Sequence, residues 1–496
     1  MISCSCLMRG HEFVNEVQTV AQVFFPLGRV RVWGWGESGA AECDEGYPAT
    51  LSWEGGVVVV AAVADDAARA VVYINGAEVA ARVVALDAVD VVRTELSARR
   101  VLMLAMFHAL RAATGADIPW GALTGIRPSK MVRSWLAQGK GDAQILRDLE
   151  DVICLRSDKA RLALDVAHAE NRLTQKIFES SGAPLGIYIG VPFCPSRCAY
   201  CSFNMAAKPP TRAELTRYVT VLVREIKEMA RHELHEMRHM GKRIASLYIG
   251  GGTPTVLPDD LLATLLDAVG EYFAPGADCE YTVEAGRPDT LTPENLRLMR
   301  EFGVGRIAVN PQTLNDRTLQ AIGRNHTAAD FVRAFMLARD AGFATINADL
   351  IAALPGEGED DLRRSVEALL PLRPENLTIH TLSIKRASRL RGQVEDCNDG
   401  TIFATSPVDM NVTQARLRDM GYAPYYLYRQ KNTIGLAENI GYSLPGHECL
   451  YNIGMMSEIH TVLGIGAGAV TKYVEGGKIN RKFNEKNPQI YMERRA

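Results

Sequence analysis

The sequence predicts an α/β protein: a partial, open (β/α)6 barrel, preceded by an N-terminal α+β domain and followed by a small C-terminal region. Three observations carry this. Beyond residue 185, six strand-like runs recur: GIYIGV, SLYIGG, EYTVEA, RIAVNP, TINADLI and LTIHTLS. Amphipathic helical stretches lie between most of them, as after Glu214, where Leu215, Val219, Leu222, Val223 and Ile226 share one face. Strand–helix alternation requires right-handed crossovers and a parallel sheet, and six units are too few to close an eight-stranded barrel. The expected boundaries are 1–175, 185–400 and 401–496.

The elements follow in order. Up to about residue 110, VVVVAAVA, AVVYING and AEVAARVVAL are short β-branched runs broken by turn residues, as in a small sheet. SARRVLMLAMFHALRAATG and RSDKARLALDVAHAENRL read as helices, joined through the Gly- and Pro-marked segment PWGALTGIRPSKMV. No catalytic set assembles here, so a packing or docking role is expected. The tail carries PYYLYRQKN and LGIGAGAVTK.

Composition excludes several classes. A length of 496 residues exceeds one ordinary core, and 47% hydrophobic with 23% charged residues suits a globular protein. A net charge of -3 gives no reason to expect nucleic acid or an anionic membrane as partner. No apolar run reaches the roughly 20 residues of a membrane span. The start, MISCSCLMRGHEF, lacks the apolar core of a secretory signal, so a cytoplasmic location is expected. Ten cysteines in such a chain are not a disulfide framework. Cys4 and Cys6 read as a frayed terminal pair, and only Cys194, Cys198 and Cys201 cluster.

In parallel α/β folds ligands collect at the carboxyl ends of the strands. Here the first unit ends in the cysteine loop, and the second in GGGTPT. The third ends at Glu284, the fourth at Asn310 and Gln312, the fifth carries Asp349, and the sixth runs into SIKRASRL. That pattern predicts one large site across the barrel mouth. A tetrahedral zinc site would want a second cysteine pair elsewhere, and a thioredoxin-like motif would leave Cys194 superfluous. Three thiolates on a cubane cluster leave one iron open for a chelating ligand. The spacing favours the cluster, with zinc or inert thiols as the alternatives.

CxxxCxxC with Tyr200 before the third cysteine resembles the radical SAM superfamily. The resemblance implies a [4Fe-4S] cluster on Cys194, Cys198 and Cys201, with the unique iron holding S-adenosylmethionine (SAM). The segments YIGVPFCPSRCAYCSF, LYIGGGTPT, YTVEAGRPDT, RIAVNPQTLN, IGRNHT and INADLIAALPGE are similar to the oxygen-independent coproporphyrinogen III oxidase family of HemN-like proteins. LTGIRPSKMV, YYLYRQKN and GIGAGAVTK resemble its HemZ branch. Carried over, the likeness makes Tyr188, Gly251, Gly252, Thr253, Glu284, Gln312, Arg324 and Asp349 the SAM-binding candidates, for two SAM molecules in turn. It implies oxidative decarboxylation of two propionates to vinyl groups on a tetrapyrrole, with an electron donor such as flavodoxin or ferredoxin. Tyr188, Lys385 and Arg386 are the candidates for action on the substrate, with Arg389 a further cation for its carboxylates. Glu458 and the glycines of GIGAGA are expected to close the pocket.

Two departures bear on substrate. Gly190 stands where the best-known members carry histidine, and Phe203 where they carry a further cysteine. The C-x-F ending is shared with the family's haem-binding chaperone branch. Three readings therefore stand: the decarboxylating dehydrogenase, a haem-binding or trafficking protein with His380, His447 or His460 as axial ligand, and another radical SAM reaction on a tetrapyrrole.

Overall fold

The computed structural model describes residues 4–25, 30–34, 56–64, 67–85, 98–125, 127–179, 182–201, 209–384, 388–390, 409–430 and 437–495. The chain forms two compact units, 1–164 with 429–437, and 165–428 with 438–496.

The first unit is built on β1 (Cys4–Arg9), β2 (Val30–Gly34), β3 (Val57–Val63), β4 (Ala67–Ile74) and β5 (Ala77–Ala85), in the order β2-β1-β3-β4-β5. Asn75 and Gly76 join β4 to β5 with φ of 52° and 84°, the backbone of a two-residue hairpin turn whose twist matches the strands. Helices Val14–Phe24 and Ala98–Thr114 pack with one sheet face. Cys4 and Cys6 correct the expectation of a frayed pair: both are fully buried on that face, unlinked, with their sulfurs 3.9 Å apart. The reason is that β1 is paired on both sides, and residues two apart in a strand point the same way.

The second unit holds the six expected parallel strands: β6 (Ala183–Val191), β7 (Lys242–Gly251), β8 (Glu280–Glu284), β9 (Arg306–Ala308), β10 (Thr345–Ala352) and β11 (Asn376–Thr381). They lie side by side in chain order. Helices Arg212–Met229, Asp259–Phe273, Pro293–Glu301, Ala328–Asp340 and Glu359–Leu369 make the crossovers. Thr211, Thr292 and Thr327 start three of them with reciprocal caps. The sheet does not close. Beyond β11 it continues antiparallel through β13 (Asn439–Ser443) to β12 (Ala423–Tyr428). Beyond β6 it continues through β14 (Val462–Ile465), parallel to β6, to β15 (Val470–Glu475) and β16 (Lys478–Phe483). The tail thus extends both edges of the barrel sheet.

Alternation along these strands separates two environments. Leu185, Ile187, Ile189, Leu247, Ile249, Val283, Ile346, Leu350 and Ile379 are fully buried, on the face the crossover helices cover. The alternate positions, Tyr248, Thr282, Glu284, Arg306, Asn347, Asp349, Thr378 and His380, line a cavity of about 120 Å³ inside the barrel. A polar lumen is costly to leave dry and is the usual setting of a ligand site.

Candidate functional site

The cysteine loop leaves the end of β6, and the Gly-rich turn leaves the end of β7 beside it. Gly252 N–H donates to the Val191 carbonyl at 2.8 Å, and Thr253 N–H to the Phe193 carbonyl at 2.7 Å. A Cβ at Gly252 would lie 2.4 Å from the Phe193 carbonyl oxygen, so glycine is required for the two loops to touch. At Gly251, with φ of 107°, a Cβ would lie 3.1 Å from the Tyr188 hydroxyl. The close neighbour that demands Gly252 is therefore the cysteine loop itself.

Thr253 is 1% exposed and its hydroxyl lies 3.2 Å from Cys194 Sγ. Cys198 is buried, with its sulfur 3.5 Å from the Arg287 guanidinium. The loop is fastened elsewhere too: Ala199 N–H donates to the Ile322 carbonyl at 2.9 Å, and Ser388 Oγ donates to the Ala199 carbonyl at 3.0 Å. The three thiols are unlinked and close enough for their charges to act on one another. In the metal-free chain the Cys194 thiol is pushed up to about 11, by burial first and by Cys198 and Cys201, while Thr253 and Arg287 pull it down. Metal displaces such protons. Among the described residues no three His, Cys, Asp or Glu side chains converge as one metal ion requires. A cubane instead takes each thiolate on a separate iron. This donor set fits an iron–sulfur cluster better than zinc.

The SAM candidates gather around the same mouth. Glu284 accepts from the Tyr248 hydroxyl and from Gly251 N–H. Gln312 follows β9 with φ of 69°, a left-handed backbone that costs a non-glycine residue on the order of 1 kcal/mol. Backbone bonds to Asp349 and Ile351 hold it there, and its side-chain carbonyl is buried without a partner. Arg324 is 6% exposed; Nη2 donates to the carbonyls of Gly286 and Asn310, while Nε is buried without a partner. Such orphaned buried atoms are what a polar cofactor would satisfy. Asp349 Oδ1 accepts from Asn347 Nδ2 at 2.8 Å, and Oδ2 lies 3.8 Å from His380 Nε2. Burial pushes the Asp349 carboxyl up, but His380, Asn347 and Thr378 outweigh it and hold it below the usual range. Tyr188 stacks with Tyr248 and Tyr451 at ring distances of 6.3 and 6.0 Å.

Other expected residues fall elsewhere. Lys385, Arg386 and Phe203 lie outside the described residues, and Arg389 is exposed. His380 lines the lumen, with Nδ1 3.1 Å from the Tyr428 hydroxyl. His447 meets Thr345 at the start of β10, away from the mouth. His460 is buried in the space left by Gly454 and pushed down to about 4, first by burial and then by Lys472. Of the GIGAGA glycines, Gly466 packs on the end of β6: a Cβ there would lie 2.5 Å from the Gly190 carbonyl oxygen. Glu458 is taken up in an ion pair with Arg481 at 3.0 Å. Arg287 was missed as a site residue, because neither spacing nor motif announces contacts made across the barrel; His380, expected only as a haem ligand, faces Asp349 in the lumen.

Comparison with known proteins agrees with this geometry. The model of the radical SAM superfamily matches residues 188–369. The chain is 37% identical over 390 residues to the oxygen-independent coproporphyrinogen-III oxidase-like protein HemZ of Bacillus subtilis, covering 78% of this chain and 77% of that one. It is 31% identical over 322 residues to the heme chaperone HemW of Mycobacterium tuberculosis, covering 63% and 74%. The fold resembles coproporphyrinogen III oxidase HemN from Escherichia coli, a radical SAM enzyme, with a TM-score of 0.50 at 20% identity over 65% of this chain and 72% of that one. The cofactors of the radical SAM superfamily, and of this chain, are a [4Fe-4S] cluster and SAM. The chain belongs to the radical SAM superfamily, within the family of oxygen-independent coproporphyrinogen-III oxidase-like proteins.

Proposed function

We propose that this chain is an oxygen-independent coproporphyrinogen III dehydrogenase that converts two propionates to vinyl groups, giving protoporphyrinogen IX. The observation that carries the reading is the meeting of three unlinked cysteines with the orphaned polar atoms of Gln312 and Arg324 at one barrel mouth. Cys194, Cys198 and Cys201 would hold the cluster. Arg324 suits the SAM carboxylate, and Glu284 and Asp349 suit its ammonium and ribose hydroxyls. When bound, the cluster supplies the electron that splits SAM into methionine and a 5′-deoxyadenosyl radical. Tyr188 and Tyr248 wall the lumen and keep water from the reacting carbon. On the substrate, the 5′-deoxyadenosyl radical would take a hydrogen atom from the propionate β-carbon, ending as 5′-deoxyadenosine and leaving a substrate radical. Release of CO2 and of one electron, to an external one-electron acceptor, then forms the double bond. Lys385, Arg386 and Arg389 supply cations for the substrate's remaining carboxylates. Flavodoxin or ferredoxin is the proposed class of electron donor.

The likeness to heme chaperones favours a second reading, in which the chain binds haem without this turnover. One experiment separates them. The chain, reconstituted anaerobically with iron and sulfide, is incubated with reductant, SAM, an electron acceptor and coproporphyrinogen III. Divinyl product together with 5′-deoxyadenosine supports the dehydrogenase. Tight haem binding with no product contradicts it.

A further inference from the structure

The geometry points to Arg287 as the residue that sets the reduction potential of the cluster, by donating an N–H to the Cys198 sulfur and fixing a positive charge beside it. The inference rests on the reading of Cys194, Cys198 and Cys201 as cluster ligands.

Arg287 stands just after β8 and is 1% exposed. Its fork is almost fully engaged. Nε and Nη2 donate to the two Asp289 oxygens at 3.0 Å each, and Nη2 also reaches Ser196 Oγ at 3.0 Å. Nη1 donates to the Ser196 carbonyl at 3.4 Å and to Cys198 Sγ at 3.5 Å. The planar guanidinium therefore cannot swing away from the sulfur without breaking several bonds, and lysine, a single point charge, could not reproduce them. A loop staple alone would need only the Ser196 contacts. The bond to sulfur is additional, and it comes from a charged donor out of water, where such bonds are strongest.

The consequence follows from charge. An oxidised cubane on three thiolates carries one net negative charge, and reduction makes it two. A fixed cation and N–H donor beside one thiolate stabilises the more negative state more, so Arg287 makes the cluster easier to reduce. Asp289 works against this by partly neutralising the guanidinium. On the other side of the loop, the Cys194 sulfur lies within hydrogen-bond distance of the neutral Thr253 hydroxyl, at 3.2 Å. Arg287 is thus the charged half of an asymmetric pair.

The test is a redox titration of the reconstituted chain, followed by electron paramagnetic resonance and by absorption near 400 nm, in Arg287→Gln, Arg287→Lys and Asp289→Asn. Iron and sulfide content and the cluster spectrum establish cluster ligation independently of the potential. Arg287→Gln is expected to shift the one-electron equilibrium about tenfold toward the oxidised cluster, roughly 59 mV. Arg287→Lys should shift it less, and Asp289→Asn in the opposite direction. Variants that load a normal cluster and titrate at the wild-type potential overturn the inference while leaving cluster ligation intact. If Arg287→Gln loads no iron and Arg287→Lys titrates at the wild-type potential, the residue is a loop staple and the inference equally fails.

Discussion

The Tyr248 hydroxyl donates to Glu284 Oε1 at 2.5 Å while Gly251 N–H donates to Oε2 at 3.1 Å, so the second and third strands share one carboxylate at the barrel mouth. Burial lifts the Glu284 carboxyl above its usual range; Tyr248, Gly251 and His380 pull it down, and Asp349 adds to the rise. A carboxyl raised in the folded state disfavours folding once it must ionise. Its contribution is best below the unfolded value of about 4.3 and is lost as pH rises through the folded value. Glu284→Gln should therefore flatten that loss of stability in thermal melts of the metal-free chain taken at increasing pH. It should also weaken SAM binding to the reconstituted chain at least tenfold in equilibrium dialysis.

Asp349 has the opposite sign. Held below the usual range, its carboxylate stabilises the fold above the unfolded value of about 3.9, and that stability is lost as pH falls through the folded value. His380→Leu removes the group facing Oδ2 at 3.8 Å. Acid unfolding of the metal-free chain, followed by circular dichroism, should then begin at higher pH than in wild type, and SAM affinity should fall severalfold.

Two glycines make a contrasting pair. In Gly252→Ala the new Cβ would meet the Phe193 backbone at 2.4 Å, displacing the loop that carries the cysteines. Iron incorporation and absorption near 400 nm should drop below half of wild type. Gly270 lies inside helix Asp259–Phe273 with open space at its Cβ position, so Gly270→Ala should leave iron content unchanged and stabilise the chain by about 0.5–1 kcal/mol.

Gly190→His tests the departure at that position. A Cβ there would lie 3.3 Å from the Ala467 carbonyl oxygen, and the Tyr218 hydroxyl already binds the Gly190 carbonyl at 2.7 Å. The added side chain must shift the Ala467 carbonyl by at least a few tenths of an ångström. Thermal stability should fall by about 1–3 kcal/mol, with no gain in SAM cleavage.

The barrel was legible because each strand writes its two faces in alternation. Ile187 and Ile189 face helices, while Tyr188 faces the lumen, and Asn347 and Asp349 do the same on the fifth strand. Even β9, only three residues long, declared itself through the polar Asn310 and Gln312 that follow it. The three cysteines were legible because their spacing is local. What was hidden depends on distant pairing. Val462–Ile465 becomes a strand of the barrel sheet by lying along β6, nearly three hundred residues upstream, and no local pattern specifies that partner. Arg287 reaches Ser196 and Cys198 only after the loops fold together. Cys4 and Cys6 were misjudged because nearness to a terminus suggests fraying, whereas a strand paired on both sides is core.

With three cysteines as ligands, one iron of the cluster stays open, and SAM occupies it. The most direct measurement is electron paramagnetic resonance of the reduced, reconstituted chain before and after adding SAM. Wild type should give a [4Fe-4S] signal that SAM reshapes; SAM should alter it much less in Arg324→Ala, and it should be absent in Cys198→Ala. A wild-type cluster signal that SAM does not change, or a normal signal in Cys198→Ala, would contradict this assignment.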